Sequence, residues 1–122
     1  MKVVVQNGAT HGITRRQAES MVALFPPAWT SAVKSLVLYQ GDEELQFKLF
    51  PKERMLGMFW PSSAHAQPSV TAATKELLVA FAIAAERGNL PLQISKSQRS
   101  WAERQVADLA ERCIRLLEAG DG

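Results

Sequence analysis

Apolar positions along this chain follow two different periods, and the switches between them mark out its elements. Val3-Val4-Val5 is a β-branched run closed by Asn7-Gly8. Apolar residues on both sides of such a run predict a strand inside a sheet. Thr14 then stands at a helix N-cap position with Gln17 three residues on, the capping-box spacing. Ala18, Met21, Val22 and Phe25 fall on one helical stripe, and Pro26-Pro27 stops the helix. Three strand patterns follow. Leu36-Val37-Leu38-Tyr39 is the first, closed by a turn at Gly41-Asp42. In the second, Leu45, Phe47 and Leu49 alternate with Gln46 and Lys48, which gives one wet face. After a turn over residues 51–54 the third runs from Met55 to Trp60 and ends at Pro61.

The second half reads differently. Residues 61–70 are rich in Ser, Ala, Pro and Gln and predict a loop. Ser69 or Thr71 caps a helix to about Arg87, with Gly88 as its stop. The middle of that helix, Leu77, Leu78, Val79, Phe81 and Ile83 with alanines between, is apolar on every side. Such a helix must be covered on more than one face, so it belongs between the sheet and a last helix. That last helix starts near Ser97 or Ser100 and runs to about Ala119. Its buried stripe is Trp101, Ala102, Val106, Leu109, Ala110, Cys113, Leu116 and Leu117. The order is β-α-β-β-β-α-α. It predicts one α+β domain over residues 1–122, with a twisted sheet of three to four strands, a backing helix, a central buried helix and a C-terminal helix.

Composition narrows the functional classes. A chain of 122 residues with 47% apolar and 21% charged residues suits one packed domain and excludes disorder. Its formal net charge is +2, and Arg15-Arg16 and the Lys96/Arg99 region are the only local basic spots. That is far from the clustered excess of a nucleic-acid binder, so nucleic acid is not the expected partner. The single cysteine, Cys113, excludes a disulfide within the chain and falls on a buried stripe, where it reads as a small core residue. The N-terminal run turns polar too soon for a signal peptide, and the longest apolar run, Leu77 to Ala85, is about half a membrane span. The expectation is a soluble cytoplasmic protein without membrane contact, monomeric or homodimeric.

The element order, with a backing helix and short sheet ahead of an apolar helix and a following helix, resembles the zincin metallopeptidases, in particular small gluzincin-like domains. In that family the helix after the sheet carries HExxH. Two histidines four apart share one helix face and bind zinc, and the glutamate beside the first is general base to the metal-bound water. A glutamate on the following helix is the third ligand. The aligned stretch here is Lys75-Glu76-Leu77-Leu78-Val79. Glu76 keeps the glutamate position, whereas Lys75 and Val79 stand where the histidines would be; Glu103 matches the third ligand. The resemblance therefore implies a zincin-like scaffold with a degenerate motif, no zinc, no other cofactor and no peptidase activity. The plainer reading of Lys75 and Glu76 is a solvated first helical turn.

Other chemistry is sparse. His11 and His65 lie in loops, and no spacing rule joins them into a metal site. No Gly-x-Ser-x-Gly elbow and no phosphate-cradling glycine loop is present. The strand Met55 to Trp60 is apolar on both faces. It reads either as a central strand covered by helices on both sides or as the rim of a peptide-binding cleft that uses Met55, Met58 and Trp60. Three functions follow: a non-catalytic protein- or peptide-interaction domain; a hydrolase built around Glu76, His11 or His65; or a nucleic-acid accessory protein using Arg15, Arg16, Lys96 and Arg99.

Overall fold

The computed structural model describes residues 1–120. The elements in chain order are β1 (Lys2–Val5), α1 (Arg15–Val22), α2 (Pro27–Ala32), β2 (Ser35–Gln40), β3 (Gln46–Phe50), β4 (Met55–Trp60), a single 3-10 turn (Ala64–Ala66), α3 (Val70–Arg87) and α4 (Lys96–Glu118). The predicted α+β order holds, with one short helix added. Pro26-Pro27 does more than stop α1: α1 already ends at Val22, and Pro27 opens α2 from a first-turn position, where a missing N–H costs nothing.

Local capping sets the helix starts. The Thr14 hydroxyl accepts the Gln17 N–H at 3.1 Å, and the Gln17 side chain accepts the Thr14 N–H at 2.9 Å. Ser69 caps α3, and Gly88 ends it in the left-handed region at φ 73°. α4 begins earlier than its serines at 97 and 100 suggest, because Ser95 and Gln98 form a second capping box.

The four strands form one sheet in the order β1-β2-β4-β3. β1 and β4 run parallel to β2, and β3 runs antiparallel to β4. Two expectations change here. β1 is an edge strand: Val3 is buried, but Val5 is 37% exposed. β4 lies inside the sheet, hydrogen-bonded to β2 on one side and β3 on the other. A rim role for Met55, Met58 and Trp60 fails for that reason, since β3 takes the outer edge and Met58 and Trp60 are buried in the core.

The covering of β4 on both faces fails too. Register places Val3, Leu36 and Leu56 in one row and Leu38, Met58 and Phe47 in another, all turned toward the helices. Alternate positions turn the other way. Val4, Tyr39, Phe50, Met55 and Phe59 are half-buried on that second face and take no part in the helix-side core. Tyr39 and Phe59 stack with ring centroids 4.6 Å apart and lie over Gly57, close enough to shield it and Val37. The apolar character of both faces of β4 thus has two causes: a helix layer on one side and a self-packed aromatic cluster on the other.

α3 sits where its pattern requires, against β3 and β4 on one side and α2 and α4 on the others. Ten of its residues are buried. Phe81 packs edge-on to Phe25 at 4.8 Å and parallel to Trp29 at 5.8 Å. Its one buried polar side chain, Thr74, donates back to the Val70 carbonyl at 2.8 Å. Ala102, Val106, Leu109 and Cys113 of α4 close the core from outside. The rest of the expected stripe, Trp101, Ala110, Leu116 and Leu117, is half-buried against that core, and the Arg87 guanidinium lies 4.5 Å from the Trp101 ring centroid.

The end of β4 is pinned by close contacts. The Trp60 indole N–H donates to Gln67 at 2.7 Å, and Gln67 donates to the Pro61 carbonyl at 2.8 Å. Gly12 lies flat against the indole, and a Cβ there would land within the ring. Gly12→Ala is therefore expected to destabilise the fold by about 1–3 kcal/mol, the range for overpacking a filled core. Gly57→Ala should cost less, because the nearest atom, Phe59 Cε1 at 2.9 Å, ends a half-exposed side chain that can swing away. Urea denaturation of the two variants measures the difference.

Candidate functional site

Lys75, Glu76 and Val79 of α3 and Glu103 of α4 line one groove of 340 Å³ between the two helices, together with Arg99, Val106, Ala107, Ala110, Glu111 and Ile114. The helical period accounts for this. Positions 75, 76 and 79 share a face of α3, and 99, 103, 106 and 110 share the facing stripe of α4. Val79 is 3% exposed and belongs to the core cluster.

Glu76 is fully engaged. Arg99 Nη1 donates to its Oε1 at 2.9 Å and Nη2 to its Oε2 at 3.0 Å, a fork-to-fork pair joining α3 to α4. The two side chains are 38% and 41% exposed, so the pair contributes at most about 1 kcal/mol and acts mainly to fix position. The Arg99 pKa is held above its ordinary value: the hydrogen bonds to Glu76 lead, burial opposes, and the charges of Glu76 and Glu103 add. The donor set does not suit zinc. Lys75 carries a cation, Val79 has no donor atom, and both Glu76 oxygens already face a guanidinium. Among the described residues no three His, Cys, Asp or Glu side chains gather as a metal site would need.

The same ion pair forms a wall of a second and larger cavity, 440 Å³, on the far side of Glu76. Its other walls are the start of β3, with Glu44, Leu45, Gln46 and Phe47, and the connection between α3 and α4, residues 90–94. Leu92 in that connection is 82% exposed, against a chain whose other large apolar side chains are nearly all covered. β3 has β4 on one side only, and among the described residues no backbone hydrogen bond leaves its outer edge. The cavity therefore opens beside a row of unpaired peptide groups. That Leu90, Leu92 and Ile94 face an edge strand depends on tertiary packing and not on any local pattern.

The histidines sit elsewhere. Neither lines a cavity that Glu76 lines. His65 is exposed in the 3-10 turn. His11 packs against Trp60 with ring centroids 4.9 Å apart and planes tilted by 47°, its Nδ1 accepts the Ile13 N–H at 3.0 Å, and its Nε2 is buried without a partner. Burial pushes the His11 pKa below 6.5, with the Ile13 and Met58 backbones opposing. Cys113 is fully buried, and burial pushes its thiol up to about 11, Arg112 opposing, which keeps it protonated and unreactive at neutral pH. Of the basic residues, Arg15 faces Glu19 at 3.8 Å and Arg99 is held by Glu76.

The fold and site define an α+β domain whose groove is closed by an ion pair and whose cleft opens along a free strand edge. No family model, no curated protein and no solved structure matches the chain. No helix among the described residues is long and apolar enough to cross a membrane.

His11 yields a pH prediction. Its folded-state pKa lies below the 6.5 of an unperturbed imidazole, so above that pH both states are neutral and stability is unaffected. As pH falls below 6.5 the unfolded chain takes the proton first, and stability drops until the depressed folded pKa is passed, by at most about 1.4 kcal/mol per pH unit. Denaturant midpoints between pH 7.5 and 5.5 should show this slope, and His11→Gln should flatten it.

Proposed function

We propose that this chain is a non-catalytic protein- or peptide-interaction domain on a metallopeptidase-like scaffold that lacks its zinc ligands. The peptide site is the cleft along β3; the β4 residues Met55, Met58 and Trp60 have no part in it. The observation that carries this reading is the open outer edge of β3 beside a 440 Å³ cavity walled by Leu90, Leu92 and Ile94. An extended peptide laid along that edge gains backbone hydrogen bonds from β3 and buries alternate side chains in the cavity. Exposed Leu92 forms the lip that such a side chain would cover. The groove on the other side of Glu76 supports the loss of catalysis, since a carboxylate gripped at both oxygens by Arg99 is a poor base for water.

The binding half is tested with the neutral extended peptide acetyl-TVTLTVT-amide. Its addition should shift the amide resonances of Gln46–Phe50 and of residues 90–94, and Leu92→Asp should weaken the effect several-fold. Unchanged resonances in both segments would remove the reading.

The scaffold half is tested by restoring the family's ligands. Lys75→His/Val79→His/Arg99→Ala places two imidazoles four apart on α3, frees Glu76 and leaves Glu103 facing the same groove. This variant should bind one equivalent of zinc by calorimetry, and the parent chain none. A folded variant that takes up no zinc shows that these positions are not the metal face of a zincin-like fold.

A further inference from the structure

The cleft along β3 has charge as well as shape. The turn that leads into β3 is a run of three acidic residues, Asp42, Glu43 and Glu44, all exposed. With Gln46 they line a further cavity of 550 Å³, and Glu44 and Gln46 line the β3 cleft as well, so the two spaces adjoin at the start of the strand. None of the three carboxylates is in an ion pair among the described residues, whereas Glu76 at the cleft wall is neutralised by Arg99. The chain as a whole is net positive, at +2. The cleft therefore has one uncompensated acidic end on a weakly basic molecule.

That end is also held in place. Ser62, just beyond β4, donates both its N–H (3.0 Å) and its hydroxyl (2.6 Å) to the Asp42 carbonyl, and the Gly41 N–H donates to the Trp60 carbonyl at 2.6 Å. The turn is stapled to the end of the neighbouring strand, so its carboxylates keep their position relative to the β3 edge. The opposite wall is apolar: Leu90, Pro91, Leu92 and Ile94.

We infer that the partner of this cleft is an extended peptide with an apolar anchor followed, toward its C-terminus, by basic residues. The inference rests on the strand-addition reading above and adds the chemistry of the occupant. Its order follows from strand direction. An added strand pairs best antiparallel, so its C-terminal end lies beside the start of β3, next to Asp42, Glu43 and Glu44. The anchor then enters the cavity beneath Leu92, and the cationic side chains reach the acidic turn. Long Lys and Arg stems also cover apolar surface on the way. Opposite charge at an exposed rim adds a fraction of a kcal/mol per pair and speeds encounter, and salt weakens both effects.

Three fluorescein-labelled probes, TVTLKK, TVTLQQ and TVTLEE, amidated at the C-terminus, test this by anisotropy on the full chain. At low salt TVTLKK should bind about ten-fold tighter than TVTLQQ, and TVTLEE weaker than both. In 0.5 M NaCl the three should converge. In the variant Asp42→Lys/Glu43→Lys/Glu44→Lys the order should invert, and because these side chains are exposed its thermal melt should stay close to that of the parent. Equal binding of TVTLKK and TVTLQQ at low salt, or tighter binding of TVTLEE, overturns the assignment of a basic partner and leaves peptide addition standing. TVTLKK methylated on alternate backbone nitrogens should not bind. If it binds as well as the unmodified probe, or if no probe binds, strand addition itself fails and the charge assignment with it. A dimer of the free chain that TVTLKK does not disperse gives the edge to a second copy and likewise overturns the assignment.

Discussion

The structure depends on one constraint: the middle of α3 is apolar on all sides and must be enclosed on all sides. A helix with Leu77, Leu78, Phe81 and Ile83 at its centre cannot lie on the surface of a two-layer domain. The sheet covers one side, α4 the opposite side, and the short α2 a third through the contact of Trp29 with Phe81. The connections follow from this. β1 must reach β2 by a crossover on the helix side, and α1 and α2 supply it, so the first strand ends at the sheet's edge. The last helix is long, 23 residues, because it must span the outer face of α3 and still meet α1.

Because all four helices contribute to the one core on α3's side of the sheet, none is left for the second face. That face solves its exposure locally. Glycine at position 57 leaves room for the rings of Tyr39, Phe50 and Phe59 to converge above the strand, and their mutual packing removes from water what a helix would otherwise cover. Lys2, in the register row of Met55 and Phe50, and Lys48, in that of Gly57, are the only charged residues in the four strands.

Much of this was legible in the sequence because it is written in local chemistry. The Thr14–Gln17 box, the Ser69 cap, the Gly88 stop and the alternation from Leu45 to Leu49 each act over a few residues, and each appears where its pattern places it. The errors share a cause. Val3-Val4-Val5 reads as an inner strand because its side chains look alike, yet strand order is decided by what packs where, and β3 and β1 took the edges. The run Met55 to Trp60 shows that both faces are apolar without showing that one is helix-covered and the other ring-covered. At the site, Lys75, Glu76, Val79 and Glu103 could be grouped from helical spacing and family resemblance. The engagement of Glu76 by Arg99, 23 residues away, and the cleft beside β3 depend on how two helices and a loop meet.

The Glu76–Arg99 pair gives the two cavities different natures. A carboxylate left alone on that wall would add a fourth negative charge to the acidic cleft along β3 and would leave an unpaired anion in the groove between α3 and α4. Arg99 removes both effects with one fork of hydrogen bonds, and Val79 fills the groove floor with an apolar side chain continuous with the core. The fork and the apolar floor together tie α3 to α4 at a fixed spacing. The apolar wall of residues 90–94 follows directly from α3 and precedes α4, so holding those helices together also holds that wall opposite the β3 edge.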